Sequence, residues 1–281
     1  MVRVTPAKLL GCRARALRRL ILETHHRRGG HLGASLSIVE ILTVLADRLG
    51  HGRYNDGATG HHLILSKGHA ALAFYCQLAL EDRVPLASLA NFATDGADLE
   101  PHPNERLVPG VGACSGSLGQ GLSIGCGFAL AARMRGSAAR TAVIIGDGEV
   151  NEGQIWEAAM SAAQLRLGTL LVVVDRNDMQ QDGAMRDILP CPDLAVTWGA
   201  FGWKTAQCDG HDVTALVEQM NLLMAPGDDR PKLLVARTVK GAGVAHLEGK
   251  AESHFPDPVS VDDIALAGHI PIGAGLLETL A

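Results

Sequence analysis

Gly146-Asp147-Gly148 stands directly after the apolar run Thr141–Ile145 and leads through Glu149-Val150-Asn151 into a helical segment at Glu152. Two glycines let a backbone come close to a phosphate, and the start of a helix favours negative charge. The aspartate between them would repel a bare phosphate. It makes chemical sense if a cation lies between the two, and Mg²⁺ or Ca²⁺ suits, since both take oxygen ligands. More oxygens are then needed. They are available where the next apolar run, Leu170–Val174, gives way to Asp175-Arg176-Asn177-Asp178-Met179. Residues 149–176 separate Gly148 from Asn177, which is room for one helix and one strand. In an open α/β sheet that spacing brings Asn177 to the same carboxyl edge as Asp147, where ligands of such sheets bind. The Asn177 side-chain carbonyl and the main-chain carbonyl of Met179 can then face one metal. Either string alone also reads as a plain turn, because Gly, Asn and Asp are common turn residues.

These groups need a sheet to hold them. The runs Thr141–Ile145, Leu170–Val174 and Leu233–Ala236 are apolar on both faces, and Trp203–Gln207 is a further strand candidate. Helical spacing fills 152–165 and 211–224 between them. Doubly buried strands alternating with helices predict an α/β fold, a mostly parallel sheet with helices on both faces. Upstream, the spacing predicts helices over 7–28 and 35–49, with Ser35 or Ser37 as N-cap of the second. A polar loop over 51–62, helices over 68–80 and 85–92, and a long Pro- and Gly-rich loop over 95–116 follow. Arg3, Lys8, Arg13, Arg15, Arg18 and Arg19 precede the first acid, Glu23, a composition shared with transit peptides. The stripe Leu9, Leu10, Leu17, Leu20, Ile21 and Leu22 predicts a surface helix there instead. The uncharged stretch Ser117–Ala132 is short of the ~20 residues that span a bilayer and predicts a buried helix. Ser117, Gly121 and Gly125, four apart, leave one face of it bare for the close approach of another helix, a subunit or a ligand. From Ser260 a last helix and a frayed end are expected.

The string GDGEVNEGQIWEAAMSAAQLRLGTLLVVVDRNDMQQDG (146–183) resembles the thiamine diphosphate signature, and that of transketolases in particular. So do GGHLGASLS (29–37), SKGHAALAFY (66–75), LEPHPNERLVPGVGACSGSLGQGLSIGCGFALA (99–131) and RTVKGAGV (237–244). The resemblance runs from about residue 15 to 255 and covers the N-terminal, diphosphate-binding half of a transketolase. It implies that Asp147, Asn177 and the Met179 carbonyl hold the metal. Gly148 and Glu149 would lie against the diphosphate, Ser117 and Leu118 would line the cofactor cleft, and Lys240 would touch cofactor or substrate. His31, His69, His102 and His254 match the family's active-site histidines, with His69 and His254 also placed against the cofactor. Glu152 would join a carboxylate network across the subunit contact. Imidazole titrates near neutrality, which suits moving a donor hydroxyl proton and polarising a carbonyl. His25, His26, His51, His61, His62, His211, His246 and His269 match no motif and read as surface or loop residues. Three places depart from the family pattern: Pro101 replaces a glycine, Gly60-His61-His62 replaces a charged run, and Ser253-His254-Phe255 stands where Trp-His-Gly is usual.

The resemblance implies a split enzyme. Residues 1–281 would form one diphosphate-binding domain, and a partner chain would bring the pyrimidine-binding domain, two copies of each assembling. The activity would be transfer of a two-carbon ketol unit from a ketose, usually phosphorylated, to an aldehyde. Another thiamine-dependent ligase or decarboxylase, or a subunit that holds a partner without turnover, are the alternatives. Composition agrees with a cytoplasmic, reducing setting. The six cysteines show no paired spacing and read as thiols. With 25 basic and 30 acidic residues the net charge is −5, and aromatics make up 4%. Neither nucleic acid nor an anionic membrane is indicated as a partner.

Overall fold

A computed structural model of the chain describes residues 5–50, 53–57 and 60–268. Five strands form one sheet: β1 (His62–Leu65), β2 (Thr141–Gly146), β3 (Leu170–Arg176), β4 (Lys204–Asp209) and β5 (Lys232–Arg237). Their order is β1-β2-β3-β5-β4 and every pairing is parallel. Alternate residues of the central strands feed two cores. Ala142, Ile144, Leu171, Val173, Leu234 and Ala236 face a layer built from α1 (Ala7–Arg28), α2 (Leu32–Ser37), α3 (Val39–Arg48), α4 (Ala71–Leu80) and α9 (Val213–Leu223). Val143, Ile145, Leu170, Val172, Val174, Leu233 and Val235 face α5 (Gln120–Met134), α6 (Gly153–Gln164) and α8 (Leu194–Ala200). Burial on both faces explains why these strands are apolar throughout. After β4 the chain crosses through α9, on the opposite face from α8, and returns as β5 between β3 and β4.

Register sets the site. Gly146 pairs with Asp175, so β2 and β3 end level and release Asp147 and Asn177 at one edge. The Asp147 N–H still donates to the Asp175 carbonyl at 3.2 Å.

Several expectations change. The helix over 35–49 is two helices that meet at Ile38 (φ −104°, ψ 8°). Ser35 and Ser37 cap neither; both lie inside α2, where Ser35 Oγ donates to the His31 carbonyl and Ser37 Oγ to Asp175. The loop over 51–62 yields at its end to β1, an edge strand of four residues paired with β2 alone. Two short helices, α7 (Met185–Ile188) and α8, occupy a stretch for which spacing predicts no element. Helix α5 is buried on one side only, and its bare face is turned inward. A Cβ on Gly121 would collide with Ser66 Cβ, and one on Gly125 with Val143 Cγ2. The glycines therefore seat the helix on its own sheet, not on another subunit. The arginine-rich start is helix α1, with Leu10, Leu17, Ile21 and Leu22 buried. Helix α10 (Val261–Gly268) begins where the last helix was expected; the end beyond it, with His269, lies outside the described residues, as does His51. The six cysteines carry no disulfide, and no described helix is long and apolar enough to cross a membrane.

Candidate active site

A cleft of about 410 Å³ opens at the carboxyl ends of the strands. Each wall comes from the segment that follows a strand or a glycine turn. Lys67 and His69 follow β1, Gly146 ends β2 and Asp147-Gly148 follow it, Asn177 and Met179 to Asp182 follow β3, and Lys240 follows β5. His31 enters from the N-terminus of α2, His102 and Leu118 from the long loop, and His254 from a one-turn 3₁₀ helix at Ala251–His254. A larger hollow of about 600 Å³ lies at the opposite edge, around Arg140, Arg166 and Gly227. It gathers none of the candidate site residues.

The four histidines, spread over more than two hundred residues of sequence, meet on one side of the cleft. His31 is central. Its ring centroid lies 5.8 Å from His69, 5.9 Å from His102 and 5.0 Å from His254, while His69 and His254 are 5.7 Å apart. Phe255, 65% exposed, stands edge-on to His31 at 5.1 Å. Burial, then the neighbouring His102 and Lys240, pull His31 down to about 4. Burial followed by Lys240 does the same to His254, also about 4. His69 is pushed well below the ordinary histidine value by burial and then by Lys67. These three rings are neutral at pH 7 and can accept protons. Lys240 is lowered to about 8 by burial and then by Lys67, and its Nζ donates to the Gln180 carbonyl at 2.8 Å.

On the opposite side the carboxylates are buried. Asp147 Oδ1 accepts from the Gly148 N–H at 2.9 Å and Oδ2 from the Asp178 N–H at 2.6 Å. Burial, and then the Asp175 carboxylate, raise Asp147 to about 7. Lys67 offsets this only in part, and a cation at Asp147 would relieve the rest. Gln180 Nε2 is buried in the same cleft wall with no hydrogen-bond partner. Among the described residues no three His, Cys, Asp or Glu side chains are grouped to hold a metal by themselves. The set Asp147, Asn177 and Met179 supplies a single carboxylate, an amide and a main-chain carbonyl, so it needs ligand oxygens as well.

Glu149 lines the cleft but its carboxylate is used internally. Oε1 accepts from Ser66 Oγ and from the Gly119 N–H at 2.8 Å, Oε2 from the Gly146 N–H at 3.1 Å. Ser117 and Glu152 are exposed and do not line the cleft. Glu152 is thus no buried acid in need of a partner within this chain; Glu149 is the buried one, and it is satisfied. His25 is no surface residue: it is wholly buried, lowered to about 4 chiefly by burial, and its Nδ1 accepts from the Val259 N–H at 3.4 Å. His211 is half-buried against Glu40 at 2.9 Å. Sequence reasoning misses Lys67 and Asp175, although both lie inside the quoted motif strings; they form a buried ion pair at the cleft floor.

The transketolase, thiamine diphosphate binding domain family matches residues 12–270. The chain is 38% identical to an apulose-4-phosphate transketolase subunit of Actinobacillus succinogenes, over 91% of this chain and 93% of that one. It is 40% identical to a 6-deoxy-6-sulfo-D-fructose transketolase subunit SqwG of a Clostridium species, over 86% and 88% of the two chains. The transketolase of Campylobacter jejuni superposes with a TM-score of 0.85 at 26% identity, across 96% of this chain but 44% of its own. The chain belongs to the transketolase family and has its thiamine diphosphate-binding α/β fold. It spans less than half the length of the solved transketolases that it matches.

Proposed function

We propose that this chain is the N-terminal subunit of a split transketolase, transferring a two-carbon ketol unit from a ketose to an aldehyde. The observation that carries this reading is the meeting of His31, His69, His102 and His254 beside the Gly146-Asp147-Gly148 edge. The near end-to-end match to two proteins named as transketolase subunits supports it. Thiamine diphosphate supplies the carbanion and electron sink. The chain's own residues bind, orient and move protons. Gly148 lets the backbone approach the diphosphate, and the orphaned Gln180 amide and Lys240 add donors beside it. Asp147, Asn177 and the Met179 carbonyl would hold Mg²⁺ or Ca²⁺; the all-oxygen set fits a hard cation, and the raised Asp147 asks for one. The neutral histidines accept the donor hydroxyl proton and hydrogen-bond the forming carbonyl. Ser117 and Glu152, both exposed, face outward toward the partner that carries the pyrimidine-binding domain, in an assembly with two copies of each chain. This subunit would act in the cytoplasm on a small sugar or sugar phosphate.

Calorimetry and a ketose panel test the reading. Thiamine diphosphate should bind only with Mg²⁺ or Ca²⁺ present, and Asp147→Ala should abolish both. Ketol transfer should be seen from at least one ketose, including apulose 4-phosphate and 6-deoxy-6-sulfofructose. Undiminished cofactor affinity in chelator would sink the metal site. Decarboxylation of a 2-oxo acid without ketol transfer would favour the rival thiamine chemistry.

A further inference from the structure

Asp175 is the penultimate residue of β3, two residues before Asn177, and is wholly buried. Four side chains converge on its two oxygens. Thr238, just past β5, donates to Oδ1. Oδ2 accepts from Lys67, just past β1, from Ser37 Oγ in α2 at 2.6 Å, and from Asn177 Nδ2 at 3.1 Å. The other end of the Asn177 amide, Oδ1, accepts from the Met179 N–H at 3.1 Å. An asparagine amide has a donor end and an acceptor end of nearly the same shape. Only the oxygen end can bind a cation. A carboxylate that is ion-paired can only accept, and a main-chain N–H can only donate. The two contacts together permit a single orientation of the amide.

We infer that Asp175 is a positioning residue that locks the Asn177 amide with its oxygen available to the divalent cation. Lys67 is the counter-ion that allows an acid to stand at that buried point. This rests on the metal reading given above. A buried ion pair is costly to desolvate and, as a mere brace, could be replaced by apolar packing of the same volume. The contact to Asn177 gives the pair a task that apolar packing cannot perform, because a methyl group cannot tell NH₂ from oxygen. The same hub ties the ends of β1, α2, β3 and β5 together, so the orientation is anchored to the sheet rather than to the loop.

The test measures the Mg²⁺ dependence of thiamine diphosphate binding by calorimetry. It uses whichever form binds the cofactor in the unaltered protein, the chain alone or with its partner. Asp175→Asn removes the obligate acceptor and should raise the Mg²⁺ concentration needed by about 10- to 100-fold, the usual cost of losing a partner that orients a metal ligand. The exchange variant Asp175→Asn/Asn177→Asp reverses the hydrogen bond and keeps the charge. It offers oxygen to the metal whichever way residue 177 turns, and should return to within about threefold of the unaltered protein. Unchanged Mg²⁺ dependence in Asp175→Asn overturns the assignment. So does an exchange variant that folds but binds metal no better than the single variant. If Asp175→Asn does not fold, the exchange variant decides alone, by the threefold criterion against a tenfold loss. If the unaltered protein needs no cation, the metal reading falls first and this assignment with it.

Discussion

His69 and His102 reach the cleft from different segments yet share His31 as a neighbour. Their proposed partner is the reacting sugar, so His69→Ala and His102→Ala should lower kcat by about 10²- to 10⁴-fold, the range for a lost general acid or base. The dissociation constant for thiamine diphosphate should change far less, and steady-state kinetics beside calorimetry separates the two. Equal losses in both would remove the proton-transfer role. A second prediction concerns acid. His25, His31 and His254 are each lowered from 6.5 to about 4. The unfolded chain therefore takes up protons as pH drops below about 6.5, while the folded chain does not until about 4. The contribution of these rings is full above about 6.5 and is lost as pH falls through that window, while Asp147, raised to about 7, acts in the opposite sense. His25 has no solvent exposure, and alone it can contribute a slope of up to about 1.4 kcal/mol per pH unit. Urea unfolding at pH 7.5 and 5.5, compared between the unaltered protein and His25→Gln, should show the variant losing less stability, or gaining more, on going to pH 5.5. A pH dependence that His25→Gln leaves unchanged would contradict the assignment of a neutral His25 ring.

The segment that carries His254 is held by close backbone contacts. A Cβ on Gly33 would lie 2.5 Å from Ser253 Oγ and 2.7 Å from the Ser253 carbonyl. The Gly241 N–H donates to the Gly33 carbonyl at 3.1 Å, and His26 Nδ1 meets the Val259 carbonyl at 2.6 Å. Gly33→Ala should therefore displace this strap from α2, cost about 1–3 kcal/mol in overpacking, and depress turnover together with stability. Thermal melts and activity measured on the same variant check this; a full-strength melting temperature would show that the strap can shift freely. The same principle separates what sequence could and could not reveal. Strands β2, β3 and β5 were legible because both faces are buried, and β4 was only a candidate, its residues being half exposed. Strand β1 was not, because His-Leu-Ile-Leu is too short to show a period and pairs on one side only. The direction of the Gly121/Gly125 face depends on tertiary packing, which spacing alone does not encode. The motif histidines were legible as a group, while the Asp175 hub was hidden inside a string that read as the end of a strand.

Across the molecule, the parallel sheet delivers Asp147, Asn177, Lys67 and Lys240 to one edge, and α2 and the strap close it from the side. The opposite helical layer keeps large apolar side chains in solvent: Val196 is 69% exposed, Leu189 53%, Met160 50% and Ile188 46%. Apolar exposure of this kind fits burial against another subunit. Glu152 is exposed as well, at the start of α6. Replacing Val196 and Met160 by lysine should weaken assembly with the partner, read by analytical ultracentrifugation, while the far-UV spectrum of the chain stays unchanged. The most direct measurement compares ketol transfer by the purified chain alone with that of the chain reconstituted with a C-terminal transketolase subunit. Both carry thiamine diphosphate and Mg²⁺ and face the same ketose donors and aldehyde acceptors. The chain alone should be silent and the reconstituted pair active, with activity saturating at one partner per chain. Robust turnover by the isolated chain, or none by the reconstituted pair with any donor, would contradict a split transketolase.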